Sequence, residues 1–237
     1  MKAVASVDVI IPVYNEEVAL PPSVAKLRAF LRENLSLPWT IVIADNGSID
    51  RTLAVAQDLA AKYPDVTYTH LPEKGRGRAL RKAWLESTAD IVSYMDVDLS
   101  TDLRAFPKLV AAIEEGYDVA IGSRLSSQSQ TKRSLKRELI SRCYNLLIKA
   151  MFFTRFSDAQ CGFKALSRKA VQELVPLIVN QEWFFDTELL ILAEKKGYRI
   201  KEIAVEWLED PDTRVNIRKT AMEDLKGLWR LRTHPMP

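Results

Sequence analysis

A mostly parallel β-sheet covered by helices on both faces is the fold this chain predicts, and two observations lead to it. Short β-branched runs alternate with segments whose apolar residues recur at helical spacing, from Val7 as far as Gly122. Several of those runs end in acids or amides, the position where ligands collect in an open α/β sheet. The 237 residues fit one domain spanning 1–237, and 47% of them are apolar, enough for a buried core.

Taken in order, Val7 to Val13 (VDVIIPV) reads as a strand buried on both faces. Leu20, Val24, Leu27, Leu31 and Leu35 then recur as one helical stripe. Thr40 to Ala44 is a second strand, closed by Asp45-Asn46-Gly47-Ser48, which is turn chemistry followed by a helix cap. A strand near Val66 to His70, a helix from about Arg78, a strand at Ile91 to Met95, a further helix and a strand at Val119 to Gly122 continue the cadence. After Arg124 it breaks. Residues 125–131 are polar and predict a mobile loop. Residues 132–153 predict an amphipathic helix with Leu135, Leu139, Cys143, Leu146, Leu147 and Met151 on its apolar stripe. Asp158 to Leu166 reads as a short connector before a helix capped by Ser167. A helix around Asp186 to Lys196, a strand at Ile200 to Val205 and a basic amphipathic segment at 214–232 close the chain.

The totals exclude several classes. A net charge of +3 gives no support to nucleic-acid binding. Cys143 and Cys161 form no CxxC pair, so reduced thiols in a cytoplasmic protein are expected rather than a disulfide framework or zinc site. No signal-peptide pattern opens the sequence, and no run of about eighteen apolar residues would span a bilayer.

The strand ends carry the chemistry. Asp96-Val97-Asp98 follows an apolar run, and period-two alternation would put both carboxylates on one side of the chain. Two such anions suit Mg²⁺ or Mn²⁺, which fills its remaining coordination with phosphate oxygens and water. Tyr14 offers a ring for stacking, and Asp45 and Glu16 offer acceptors for a base or ribose. Lys74-Gly75-Arg76-Gly77-Arg78 brings cations and backbone freedom to a helix start, a phosphate site. Neither a Walker P-loop nor a G-x-G-x-x-G is present.

In this order VIIPVYNEE, ADNGSID, KGRGRAL, MDVDLS, GSR and DAQCGFKAL resemble the inverting family-two glycosyltransferases of GT-A fold, from about Val7 to Arg214. The likeness is nearest to dolichyl- or polyprenyl-phosphate glycosyltransferases. It implies that Pro12, Tyr14, Glu16 and Asp45, with Arg76, bind the nucleotide, and that Asp96 and Asp98 hold metal and diphosphate. A glutamine that helps the metal in such enzymes is Ser100 here, and the second acid of the usual DDGS motif is Asn46. Asp158 would stand near the acceptor as base or orienting group, with Gln160, Gly162 and Lys164 on the same wall and Asp186 and Glu188 on the sugar.

A lipid phosphate is already anionic and attacks without a strong general base, whereas a sugar hydroxyl needs one. Catalysis then calls for cations around two anionic substrates, and Arg124, Lys132 and Arg214 are the candidates for the acceptor phosphate. Segments 132–153 and 214–232 join apolar stripes to clustered Lys and Arg, as expected of helices lying on an anionic membrane at its cytoplasmic face. The preferred donor is UDP-glucose, with GDP-mannose next. Transfer to a saccharide hydroxyl is the alternative within enzymes, but the Q-x-x-R-W of polymerising members is missing. A nucleotidyltransferase would carry a glycine-rich first turn where this chain has PVYNEE. A nucleotide-sugar-binding adaptor without turnover is the non-enzymatic alternative.

Overall fold

The structure, a computed structural model, describes residues 5–132, 134–208 and 217–234. The elements run β1 (Val7–Val13), α1 (Leu20–Asn34), β2 (Trp39–Asn46), α2 (Thr52–Lys62), β3 (Val66–Leu71), α3 (Arg76–Glu86) and β4 (Ile91–Met95). There follow α4 (Phe106–Glu114), β5 (Val119–Ser123), β6 (Gln130–Lys132), α5 (Leu135–Phe152), β7 (Phe163–Ser167) and α6 (Arg168–Leu174). The chain closes with α7 (Phe185–Lys195), β8 (Ile200–Ala204), β9 (Glu206–Leu208) and α8 (Ile217–Thr233).

A seven-stranded sheet in the order β3-β2-β1-β4-β7-β5-β8 forms the middle layer. All its pairings are parallel except those of β7, which runs antiparallel to β4 and β5. Side chains alternate across it, so Val9 and Ile11 join one apolar cluster with α1, α2 and α4 while Ile10 joins another with α3, α6 and α7. The strand order reverses between β1 and β4, because β2 and β3 lie on one side of β1 and β4 on the other. A crevice opens at such a switch point, beyond the carboxyl ends of the two strands. Here it opens early: the β1–β4 register stops at Ile10↔Tyr94, two residues before Pro12. A proline, which lacks an N–H, is tolerated where a ladder ends.

Three expectations are corrected. The connector Asp158 to Leu166 hides β7, which lies in the centre of the sheet with Phe163, Lys164, Ala165 and Leu166 all at 0% exposure. The buried lysine disguises the run as polar, although its Nζ is fully occupied inside. The loop 125–131 runs into β6, which pairs parallel with β9 in a second, two-stranded sheet. Consequently the helix expected from Lys132 starts at Leu135, after Ser134 in extended conformation. The other termini differ from expectation by a few residues, and Ser167 caps α6 by accepting the Ala170 N–H at 3.2 Å.

Candidate active site

At the end of β4 the strand stops at Met95, and a turn follows in which the Leu99 N–H donates to the Asp96 carbonyl at 3.1 Å. Leu99 takes a left-handed φ of 50°. Asp98 therefore sits on a turn rather than on the strand, so the period-two argument does not reach it. Both carboxylates nonetheless line one small cavity with Met95, Leu99, Ser100, Thr101, Gly162 and Phe163. Asp98 Oδ1 accepts the Ser100 N–H at 2.9 Å. The loop beyond is pinned from the other side, where the Leu208 N–H donates to the Ser100 carbonyl and Asp102 N–H to the Glu206 carbonyl. Gly162 is required for Asp96 to lie where it does: a Cβ on Gly162 would fall 1.9 Å from Asp96 Oδ2.

Asp96 is oriented by Arg76, which opens α3. Arg76 Nη2 donates to Asp96 Oδ1 at 2.8 Å and Nη1 to Asp186 Oδ2 at 2.7 Å, with the arginine side chain only 10% exposed. Asp186 also lies 2.9 Å from the Lys164 Nζ and accepts from the Tyr94 hydroxyl. Lys164 completes its shell by donating to the carbonyls of Cys161 at 2.6 Å and Ala159 at 3.1 Å. Two cations and two carboxylates thus share one network with every buried member partnered, the arrangement in which buried charge is tolerated. Burial alone would lower the Arg76 pKa, but Tyr94, Asp96 and Asp186 raise it well above its ordinary value. Burial alone would raise that of Asp186, but Lys164, Arg76 and the Tyr94 hydroxyl hold it below the usual carboxylate range.

The other expected site residues fall around the crevice. Lys74 Nζ stands 3.7 Å above the Tyr14 ring. Asp45 is fully buried and its Oδ2 lies 2.7 Å from Nδ1 of His70, which is half-exposed at the end of β3. The Glu16 N–H donates to Thr52 Oγ1 at 2.7 Å. Asn46 donates from Nδ2 to the Val13 carbonyl at 2.8 Å and accepts the Gly75 N–H at 3.2 Å. That explains the amide in place of an acid: a carboxylate could not donate to Val13 and would face its carbonyl oxygen.

Arg124 and Asp158, expected as a separate cation and base, form one bidentate pair. Nε and Nη2 of Arg124 donate to the two carboxylate oxygens at 2.8 and 2.9 Å, and the Arg124 and Gln160 N–H groups donate at 3.0 and 3.2 Å. Burial would raise the Asp158 pKa, yet Arg124 holds it below the usual range, so a saturated carboxylate is a poor proton acceptor. Gln160 donates to Asp224 Oδ2 of α8 at 3.1 Å. Asp186 and Glu188, expected on the sugar, lie inside the wall, at 3% and 1% exposure. Glu188 accepts the N–H groups of Val179 and Asn180 at 3.1 and 2.9 Å and pairs with Arg230 of α8 at 2.7 Å. Arg214 falls outside the described residues; Lys132 ends β6, in register with Leu208. His70 and the contact of Lys74 with Tyr14 escaped the sequence reading; of the aromatic run Trp183-Phe184-Phe185, which also reads as core in the sequence, the two phenylalanines are buried and Trp183 is exposed. Tyr94, two residues before Asp96 and on the α3 face, carried the one usable signal for the buried network.

A switch-point crevice with paired acids, an arginine-held carboxylate and aromatic and amide groups on the facing strand ends defines a GT-A glycosyltransferase site. The chain belongs to glycosyltransferase family 2, whose pattern matches residues 8–175. Glycosyltransferase AglD of Haloferax volcanii is 34% identical over 239 residues, covering 97% of this chain and 38% of AglD. Dolichyl-phosphate beta-glucosyltransferase ALG5C of Trichomonas vaginalis is 29% identical over 220 residues, 88% of this chain and 65% of that protein. The chain therefore spans less than two thirds of the length of either relative. Glucosyl-3-phosphoglycerate synthase of Mycobacterium tuberculosis, solved with Mn²⁺, UDP and glucosyl-3-phosphoglycerate, shares the fold at TM-score 0.72. It is 20% identical, over 98% of this chain and 81% of that one.

Proposed function

We propose that the chain transfers glucose from UDP-glucose to a polyprenyl or dolichyl phosphate, with inversion and with Mg²⁺ or Mn²⁺. The observation that carries the donor half is the small cavity that Asp96, Asp98 and Ser100 line together. Its donors are all hard oxygens, which fits either cation. Among the described residues no three His, Cys, Asp or Glu side chains cluster to hold a metal by themselves. Two carboxylates and a hydroxyl leave positions for diphosphate oxygens and fit a metal that arrives with its substrate. When bound, the metal would offset the charge of the UDP leaving group. Arg76 fixes Asp96 before substrate enters, and Tyr14 with Lys74 and Asp45 with His70 form the nucleoside side of the crevice. The named activities of the dolichyl-phosphate relatives and the UDP of the solved neighbour support the glucose donor over GDP-mannose.

The acceptor half rests on the Arg124–Asp158 pair. Accepting hydrogen bonds from the Arg124 side chain and from the Arg124 and Gln160 N–H groups, and with its pKa lowered, Asp158 is unsuited to deprotonate a sugar hydroxyl; a phosphate acceptor has no such need. Lys132 and Arg214 stay the proposed cations for that phosphate. Leu139, Leu146 and Phe153 of the α5 region and Met222, Leu225 and Trp229 of α8 are exposed, between 48% and 85%, and basic residues flank them. No described helix is long and apolar enough to cross a membrane. We read these two helices as lying on the cytoplasmic leaflet, where a lipid phosphate is presented. Calorimetric titration of UDP-glucose and GDP-mannose, with and without Mn²⁺, tests the donor assignment. Metal-dependent binding of UDP-glucose that Asp98→Asn abolishes is expected; equal binding without metal would contradict it.

A further inference from the structure

Trp183 stands apart from its neighbours. Phe184 and Phe185 are fully buried, yet Trp183 remains 40% exposed. Its ring centroid lies 5.0 Å from the guanidinium carbon of Arg76, the group that holds Asp96, and the buried Tyr94 ring lies 4.9 Å from the same carbon. One guanidinium therefore bonds the metal-side carboxylate and packs against an aromatic surface open to solvent.

The segment carrying this ring is held firmly. The Arg78 N–H donates to the Gln181 carbonyl at 3.0 Å, and Glu182 N–H donates to Asn180 Oδ1 at 2.8 Å. A Cβ on Gly75 would meet the Gln181 carbonyl at 2.8 Å, and one on Gly77 the Glu182 carbonyl at 2.9 Å, so both glycines allow the segment to seat on the first turn of α3. Glu188 fastens its other end through Val179 and Asn180. A large apolar ring kept in water on a fixed backbone, beside charged groups, is organised to receive something with an apolar face.

We propose that Trp183 is the platform on which the hexose ring of the donor rests, and that it sets the preference for the sugar. This rests on the donor reading above. The sugar is attached to the diphosphate and so must lie against the wall next to Asp96. A pyranose offers a patch of C–H groups on one face, and the indole offers the matching surface; orientation of the hydroxyls decides how flat that face is. Glu188 acts as a positioning residue for the platform rather than as a sugar ligand.

Titrations of UDP and of UDP-glucose, both with Mn²⁺, on the wild type, Trp183→Ala and Trp183→Phe separate the possibilities. The alanine variant is expected to bind UDP-glucose about tenfold more weakly while UDP affinity stays unchanged, and phenylalanine is expected to restore most of the loss. Circular dichroism checks that both variants are folded, and the phenylalanine variant serves if alanine unfolds the chain. Equal losses for UDP and UDP-glucose would mean that Trp183 only shields Arg76 and Asp96, and would overturn the proposal, as would unchanged affinity for both. A wild type that binds UDP but no better with glucose attached overturns it too. Absence of all nucleotide binding by the wild type would instead overturn the donor reading on which it stands.

Discussion

Asp96 illustrates how much of a site depends on residues without chemistry of their own. Its carboxylate is aimed by Arg76 and accommodated by the missing side chain of Gly162. Gly162→Ala places a methyl 1.9 Å from Asp96 Oδ2, and because Asp96 is 45% exposed it can swing aside at modest cost to folding. The expected outcome is a loss of Mn²⁺-dependent UDP-glucose affinity of about tenfold or more, with stability reduced by only about 1–3 kcal/mol; calorimetry and thermal unfolding read the two. Unchanged affinity would show that Asp96 does not have to sit against Gly162. The sequence made Asp96 and Asp98 legible because two acids at a strand end are visible in one dimension. Arg124 and Asp158, far apart in sequence, were readable only as separate charges; their bidentate pairing is a tertiary contact that the sequence does not display. Asn46 is the converse case, a departure from the family pattern that becomes intelligible once Val13 and Gly75 are seen on either side of it.

At the scale of elements, α8 is bound to the wall of the site by unlike contacts. Gly227 lets it approach Phe184, where a Cβ would fall 2.4 Å from the ring; Arg230 pairs with Glu188, and Asp224 accepts from Gln160. Asp224 is 3% exposed and its Oδ1 has no hydrogen-bond partner among the described residues. Burial, with the charges of Glu223 and Asp186 adding to it, pushes its pKa from 3.8 up to about 7, while Gln160 and Tyr144 oppose the rise. Between those values the unfolded chain releases a proton that the folded chain keeps, so this group makes stability fall as pH rises through the window and level off above about 7. Asp224→Asn should therefore match the wild type near pH 4 and exceed it at pH 8 in thermal unfolding; parallel profiles would contradict this. The alternation of β1 to β5 with helices was readable because strands buried on both faces are continuous apolar runs. β7 was not, since Lys164 at its centre is neutralised by a partner, Asp186, twenty-two positions away. β6 and β9 are short, and pairing between segments so distant leaves no periodic trace.

For the whole molecule, the proposed function joins the switch-point crevice to the exposed α5 and α8 stripes: an anionic donor would be held by metal and fixed dipoles, and an anionic acceptor would be delivered from a lipid surface. The doubly wound fold followed from cadence alone, whereas the lipid-phosphate acceptor was expected from the resemblance and the basic segments, and the saturation of Asp158 adds support that no one-dimensional pattern carries. Both halves are joined by one measurement. Labelled UDP-glucose is incubated with polyprenyl phosphate in vesicles and Mg²⁺ or Mn²⁺, beside GDP-mannose and a saccharide acceptor as controls, and the label extracted with lipid is counted. Metal-dependent, lipid-extractable label from UDP-glucose, lost in Asp98→Asn, is the predicted result. Label that appears on the saccharide and never on the lipid, with any donor or metal, would contradict the account.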